Sequence, residues 1–88
     1  MTRAEIAQTV LETLAEIAPE VDPSEVASDV DLRDQLDIDS MDFLNFVIAL
    51  HERLDVDIPE RDYPQLGTLD AIVDYVVRSS PQPDQRPR

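Results

Sequence analysis

The sequence predicts an all-α fold: a small bundle of three main helices, one short extra helical turn, and a long loop between the first two main helices. Apolar residues recur every three or four positions in three separate segments. No segment sustains the strict alternation of a half-buried strand, so no sheet is expected. The 88 residues, 42% of them hydrophobic, supply one modest core and no second domain.

The first helix is expected from Thr2 to Ala18. Thr2-Arg3-Ala4-Glu5 fits a capping box, with Thr2 as cap and Glu5 reaching back to it. Ile6, Val10, Leu14 and Ile17 form its apolar stripe, with Ala7 and Leu11 beside them, and Pro19 marks the end. A connection of about twenty residues then runs from Pro19 to Asp39. Its spaced aliphatics (Val21, Val26, Val30, Leu32, Leu36, Ile38) predict that it is pinned to the core rather than free, and Pro23-Ser24-Glu25 fits one short helical turn.

The second main helix is expected from Ser40 to Leu54. At about 100° per residue it carries two apolar faces. Phe43, Phe46, Val47, Leu50 and Leu54 share one, which suits the core. Met41, Leu44 and Ile48 lie nearly opposite, flanked by Asn45 and Glu52, and a bundle has no need to bury them. Asp55 to Pro59 ends this helix. A single turn is expected from Glu60 to Tyr63, stopped by Pro64, and the only glycine, Gly67, makes the next turn. The last helix is expected from Thr68 or Leu69 to Val77. The domain then spans residues 1–78, and 79–88, with three prolines and almost nothing apolar, reads as a disordered tail.

Composition narrows the function. Twenty acids against seven bases give a net charge of −13, and every base is arginine. Residues 20–62 hold fourteen of the acids and three of the arginines, so −11 of the charge is concentrated there. Such a chain repels nucleic acid and anionic membranes, and its partners are expected to present basic patches. There is no cysteine, hence no disulfide and no thiolate metal site. No N-terminal run reads as a signal peptide and none is long enough to span a bilayer, so a monomeric cytoplasmic protein is expected.

Ser40 sits where the acidic connection meets the second main helix. The plain structural reading is that Ser40 or Asp39 is simply the N-cap. As a nucleophile of its own Ser40 would need a base, and the single histidine, His51, is eleven residues on in the same helix, about 16 Å along its axis. No catalytic residue is therefore assigned. Asp37, Asp39 and Asp42 do not make an EF-hand loop, which needs an oxygen ligand where Met41 stands, a central glycine and a terminal glutamate. One histidine without cysteine gives no zinc site either, so no metal is assigned. The other reading is that Ser40 is a substrate for modification: a phosphodiester on its oxygen would lie at a helix N-terminus, which favours anions.

At these residues the chain resembles a known family. Leu32 to Leu54 (LRDQLDIDSMDFLNFVIALHERL) is similar to the phosphopantetheine attachment region of acyl carrier proteins. Asp55 to Glu60 resembles the family's end of that helix and the loop after it, and Thr68 to Val76 resembles the family's last helix; the likeness covers about residues 3–78. It implies a four-helix fold and a 4′-phosphopantetheine arm esterified to Ser40, with Asp39 and Met41 as flanking recognition residues. It also implies a partner-facing surface, for which Asp37, Asp42, Leu44, Asn45, Ile48 and Glu52 are the candidates. The implied partners are a phosphopantetheinyl transferase, a ligase or transferase that loads an acyl or aminoacyl group, and a downstream synthase or acyltransferase with a basic docking patch. The chain departs from the usual pattern at Asp37, where many relatives have glycine, at Asn45, where housekeeping fatty-acid carriers have an acid, in its Phe43 and Phe46 pair, and at Tyr63-Pro64. These departures point to a specialised carrier. The alternative of another class is a helical interaction module without a prosthetic group, in which Ser40 is only a cap.

The charge block generates a first prediction. Repulsion within residues 20–62 lowers stability where it is least screened, so added salt is expected to raise the melting temperature. A melting temperature that stays flat from low to high ionic strength would contradict this.

Overall fold

A computed structural model describes residues 2–79. In chain order these form α1 (Arg3–Ile17), a 3₁₀ turn (Pro23–Glu25), α2 (Leu32–Gln35), α3 (Ser40–Leu54), a 3₁₀ helix (Glu60–Leu66) and α4 (Leu69–Ser79), with no strand among the described residues. None of these helices is long and apolar enough to cross a membrane.

α1 begins as its sequence dictates. Thr2 Oγ1 accepts the Glu5 N–H at 3.1 Å, and Glu5 Oε1 accepts the Thr2 N–H at 2.7 Å, which completes the capping box. Its buried face is Ile6, Val10, Thr13 and Leu14. Thr13 is fully buried but satisfied: its hydroxyl donates to Thr9 O and accepts from Arg53 Nη1.

α3 supplies the largest buried side chain, Phe46, together with Val47, Leu50 and Leu54. These meet the α1 stripe and Ile72, Val73 and Val76 of α4, and Val56, Ile58 and Leu66 complete the same core. A fully buried Phe stabilises a fold by about 1.5–3 kcal/mol, so this stripe outweighs any surface contact. Phe43 is different. It is half-buried at the edge of the core, tilted against Phe46 with ring centroids 6.1 Å apart. α3 ends on Asp55 in the left-handed conformation (φ 54°), one of the few non-glycine residues that tolerate it.

The connection from Pro19 to Asp39 is more regular than expected. It contains the turn at Pro23–Glu25, capped by Asp22, and also α2, which the sequence does not announce. Leu32 and Ile38 are buried, and Val21, Val26 and Leu36 pack at the margin of the core, whereas Val30 is 40% exposed and pins nothing. Polar ties do the rest. The Gln35 amide bonds to both N–H and C=O of Ala27 and to Val30 O. The Leu32 N–H donates to Gly67 O at 2.7 Å and the Asp70 N–H to Ser28 O at 3.0 Å, which stitch the connection to Gly67 and to the first turn of α4.

Two boundaries differ from the sequence expectation. The turn at Glu60 does not stop at Pro64 but runs to Leu66. Proline already has a helical φ and forfeits a single N–H, while Leu66 beyond it is buried, so continuing gains more than it loses. α4 continues past Val77 through Ser79, the first residue assigned to the tail. Residues 80–88, the rest of the expected disordered tail, lie outside the described residues.

The 3₁₀ helix is tied to α4 by one polar contact. The buried Tyr75 hydroxyl donates to Asp62 Oδ2 at 2.6 Å. That bond, with burial added, holds the Tyr75 pKa above the ordinary phenol value. The folded state therefore keeps the phenolic proton longer than the unfolded chain does. The resulting stability is complete below the unfolded pKa of about 10 and is lost as pH rises through the higher folded value. Tyr75→Phe is expected to cost about 1 kcal/mol at neutral pH, and its urea midpoint should converge on that of the wild type above about pH 10. Midpoints that remain equally separated at every pH would contradict this.

Candidate functional site

The first turn of α3 leaves backbone N–H groups that need acceptors, and two adjacent side chains, Asp39 and Ser40, are chemically able to supply one. The backbone decides between them. Asp39 is extended (φ −95°, ψ −176°) and its Oδ1 accepts the Asp42 N–H at 2.8 Å. Ser40 is already helical, so its hydroxyl has no capping duty and stands exposed at the surface.

Among the described residues the Ser40 hydroxyl has one side-chain partner. It accepts a bond from Arg33 Nη2 at 3.1 Å. Arg33 comes from α2, and its guanidinium lies 5.9 Å from the centre of the Phe43 ring. Beside this pair runs an open groove of about 310 Å³, walled by Arg33, Ser40, Phe43, Leu44, Tyr63 and Pro64. A second groove of about 210 Å³, lined by residues including Val47, Ile48 and His51, continues on the other side of Tyr63.

The remaining candidates fall into place around α3. Met41 is 64% exposed, Ile48 45% and Leu44 36%, so the second apolar stripe faces outward. Asn45 and Glu52 are exposed on the same face, Asp37 is exposed on the approach to the helix, and Asp42 is half-buried. His51 is exposed near the opposite end of α3. Its Nδ1 is 2.7 Å from Val56 O, and because a carbonyl only accepts, that nitrogen carries the proton. The structure brings together Asp39, Ser40 and Met41 with Leu44 and Ile48, and leaves His51 apart from Ser40, in the second groove with Ile48. Among the described residues no cluster of three or more His, Asp or Glu is placed to hold a metal ion.

Four groove residues are not ones that the sequence marks as part of a site. Tyr63 and Pro64 give no sign beyond packing. Phe43, expected in the core, serves both the core edge and the groove wall. Arg33 does leave a trace, since it is the only lysine or arginine between Glu20 and Glu52.

The arrangement suits a phosphodiester. An accessible hydroxyl lies beside a guanidinium and at the positive end of a fifteen-residue helix, and each of these favours an anion bonded to that oxygen.

The chain is also similar to known proteins. The family model described as a phosphopantetheine attachment site matches residues 8–76. An acyl carrier protein of Rubrobacter xylanophilus is 35% identical over 77 residues, which span 88% of this chain and 94% of that one. The structure of the acyl carrier protein from Enterococcus faecalis superposes with a TM-score of 0.76 at 29% identity, covering 91% of this chain and all of the other. A putative acyl carrier protein from Anaplasma phagocytophilum gives a TM-score of 0.79 at 25% identity, over 93% and 96% of the two chains.

The division of labour at the helix start predicts unequal mutational costs. Asp39→Ala is expected to destabilise by about 1 kcal/mol through loss of the cap. Ser40→Ala should stay within about 0.5 kcal/mol of wild type, as an exposed residue without a structural task. Denaturant melts of both variants check this, and a larger loss at Ser40 than at Asp39 would reverse the assignment.

Proposed function

The chain belongs to the acyl carrier protein family, whose members carry a covalently attached 4′-phosphopantetheine, and we propose that Ser40 is the residue that bears it. The observation that supports this is the exposed Ser40 hydroxyl, released from capping by Asp39 and facing the groove beside Arg33. In the alternative, an interaction module without a prosthetic group, Ser40 would serve only as a cap, and that role is filled by Asp39. When bound, the arm supplies a terminal thiol that holds an acyl or aminoacyl group as a thioester.

In the loading step, Ser40 Oγ attacks the phosphorus of coenzyme A that bears the pantetheine. A new P–O bond forms, the pyrophosphate P–O bond breaks, adenosine 3′,5′-bisphosphate leaves, and the serine proton passes to a base of the transferase. The carrier contributes the hydroxyl and its placement and no base of its own, so it is a substrate of other enzymes rather than a catalyst.

Partner enzymes read the surface around Ser40. Met41, Leu44 and Ile48 offer an apolar ridge on a rigid helix, with Asn45 and Glu52 beside it and Asp37, Asp39 and Asp42 at its start. A partner with a basic rim and a shallow apolar centre is complementary to it, with the charges steering approach and the ridge supplying contact area. The transferase, a loading ligase or transferase, and the synthase or acyltransferase that takes the cargo share this surface in turn. The cytoplasm, where coenzyme A is available and a chain without cysteine loses nothing, is the proposed compartment.

Incubation with coenzyme A and a broad-specificity phosphopantetheinyl transferase is expected to add the mass of one arm to the wild type and none to Ser40→Ala. The variant's circular dichroism should be unchanged. Modification at another residue, or none with several transferases, would overturn the assignment.

A further inference from the structure

We propose that Arg33 anchors the phosphodiester of the arm: its guanidinium holds the phosphate oxygens beside the start of α3 and so sets the direction in which the arm leaves the protein. This rests on Ser40 as the attachment site.

The position of Arg33 is over-determined for a residue in a four-residue helix. Asp31 Oδ1 caps α2 by accepting the Arg33 N–H at 2.9 Å. Leu32 beside it is buried, and its N–H is held by Gly67 O. Gln35, two residues on, is bonded to Ala27 and Val30. The side chain then lies by the half-buried Phe43 ring, which orients the guanidinium.

Its partner is the telling feature. Arg3 and Arg53 are ion-paired with Asp74 and Glu16. Arg33 stands in the most acidic stretch of the chain, between Asp31 and Asp34, yet no described carboxylate is ion-paired with it. It donates instead to a neutral hydroxyl, a weak partner for a cation. Esterification of that hydroxyl places two non-bridging phosphate oxygens, which share one negative charge, two bonds beyond the oxygen that the guanidinium already meets. The fork matches them in shape and charge. Without it, the new negative charge would have only the N-terminus of α3 to offset Asp37, Asp39 and Asp42.

The test uses the full chain in unloaded and phosphopantetheine-loaded forms, as wild type, Arg33→Gln and Arg33→Lys. Mass spectrometry first locates the arm. In the wild type, loading should leave the melting temperature unchanged or raise it. In Arg33→Gln, loading should lower it by about 4 °C or more relative to that variant's own unloaded form, and the phosphorus-31 line should sharpen toward that of a mobile diester. Arg33→Lys, which keeps the charge without the fork, should fall between. Equal melting shifts on loading in the wild type and in Arg33→Gln, with an unaltered phosphorus line, would leave Arg33 only packing on Phe43 and overturn the proposal. If Arg33→Gln does not fold or does not load, the wild type alone decides: the Arg33 Nε–Hε resonance must shift on loading by more than that of Arg53, and a shift no larger overturns the anchor. An arm found on another residue, or on none, defeats the Ser40 reading and the anchor with it. An arm on Ser40 with a negative result at Arg33 defeats the anchor alone.

Discussion

The Asp39 carboxylate takes the Asp42 N–H, and the properties of the helix start derive from that bond. A first helical turn in water can leave its N–H groups to solvent, but a side-chain cap fixes where the helix begins. Two neighbouring residues here are competent caps, and only one can be extended while the other is helical. With the carboxylate in the capping role, negative charge sits at the positive end of α3, where the dipole favours it. The hydroxyl one residue later is then positioned by the helix and used by nothing else in the backbone. A serine in the capping role would have been drawn back onto its own helix, and the surface beside Leu44 would have had no exposed hydroxyl released from capping.

The long crossover is what brings a cation to that hydroxyl. A connection of this length is ordered only if something repeatedly ties it down, and here the ties alternate between apolar and polar: Leu32 and Ile38 in the core, Gln35 on Ala27 and Val30, Leu32 N–H on Gly67 O. Gly67 matters for its size. A Cβ there would lie 2.8 Å from Asp31 Oδ2, at the end of the side chain that caps α2, so a larger residue would displace that carboxylate from its capping position. The resulting path carries Arg33 over Phe43 and onto Ser40.

Attraction between charged side chains does little to hold the fold together. The two ion pairs among the described residues, Arg3 with Asp74 and Arg53 with Glu16, are solvent-exposed and contribute at most about 1 kcal/mol each. Phe46 and the aliphatic residues around it do the holding. This leaves the acids of the crossover and α3 free to act as a recognition surface, and leaves α3 free to expose Met41, Leu44 and Ile48 on the face its core does not need.

The long elements and their faces are legible in the chain alone. α1 with its capping box, α3 from Ser40 to Leu54 with a buried and an exposed stripe, and the apolar face of α4 all extend over several turns, so their periodicity is a repeated signal. The acidic Asp-Ser-Met start of α3 is legible for the same reason, as part of a long pattern. The short and non-local features are settled only by packing. α2 is one turn long and has no period to read. The 3₁₀ helix passes through Pro64 because Leu66 finds the core, which no local rule contains. Whether Asp39 or Ser40 caps α3 depends on backbone angles set by the incoming chain, and the meeting of Arg33 with Ser40 depends on the path of the whole crossover. Side-chain periodicity is a property of a single element, whereas a contact between elements is fixed only when both have settled on a common core.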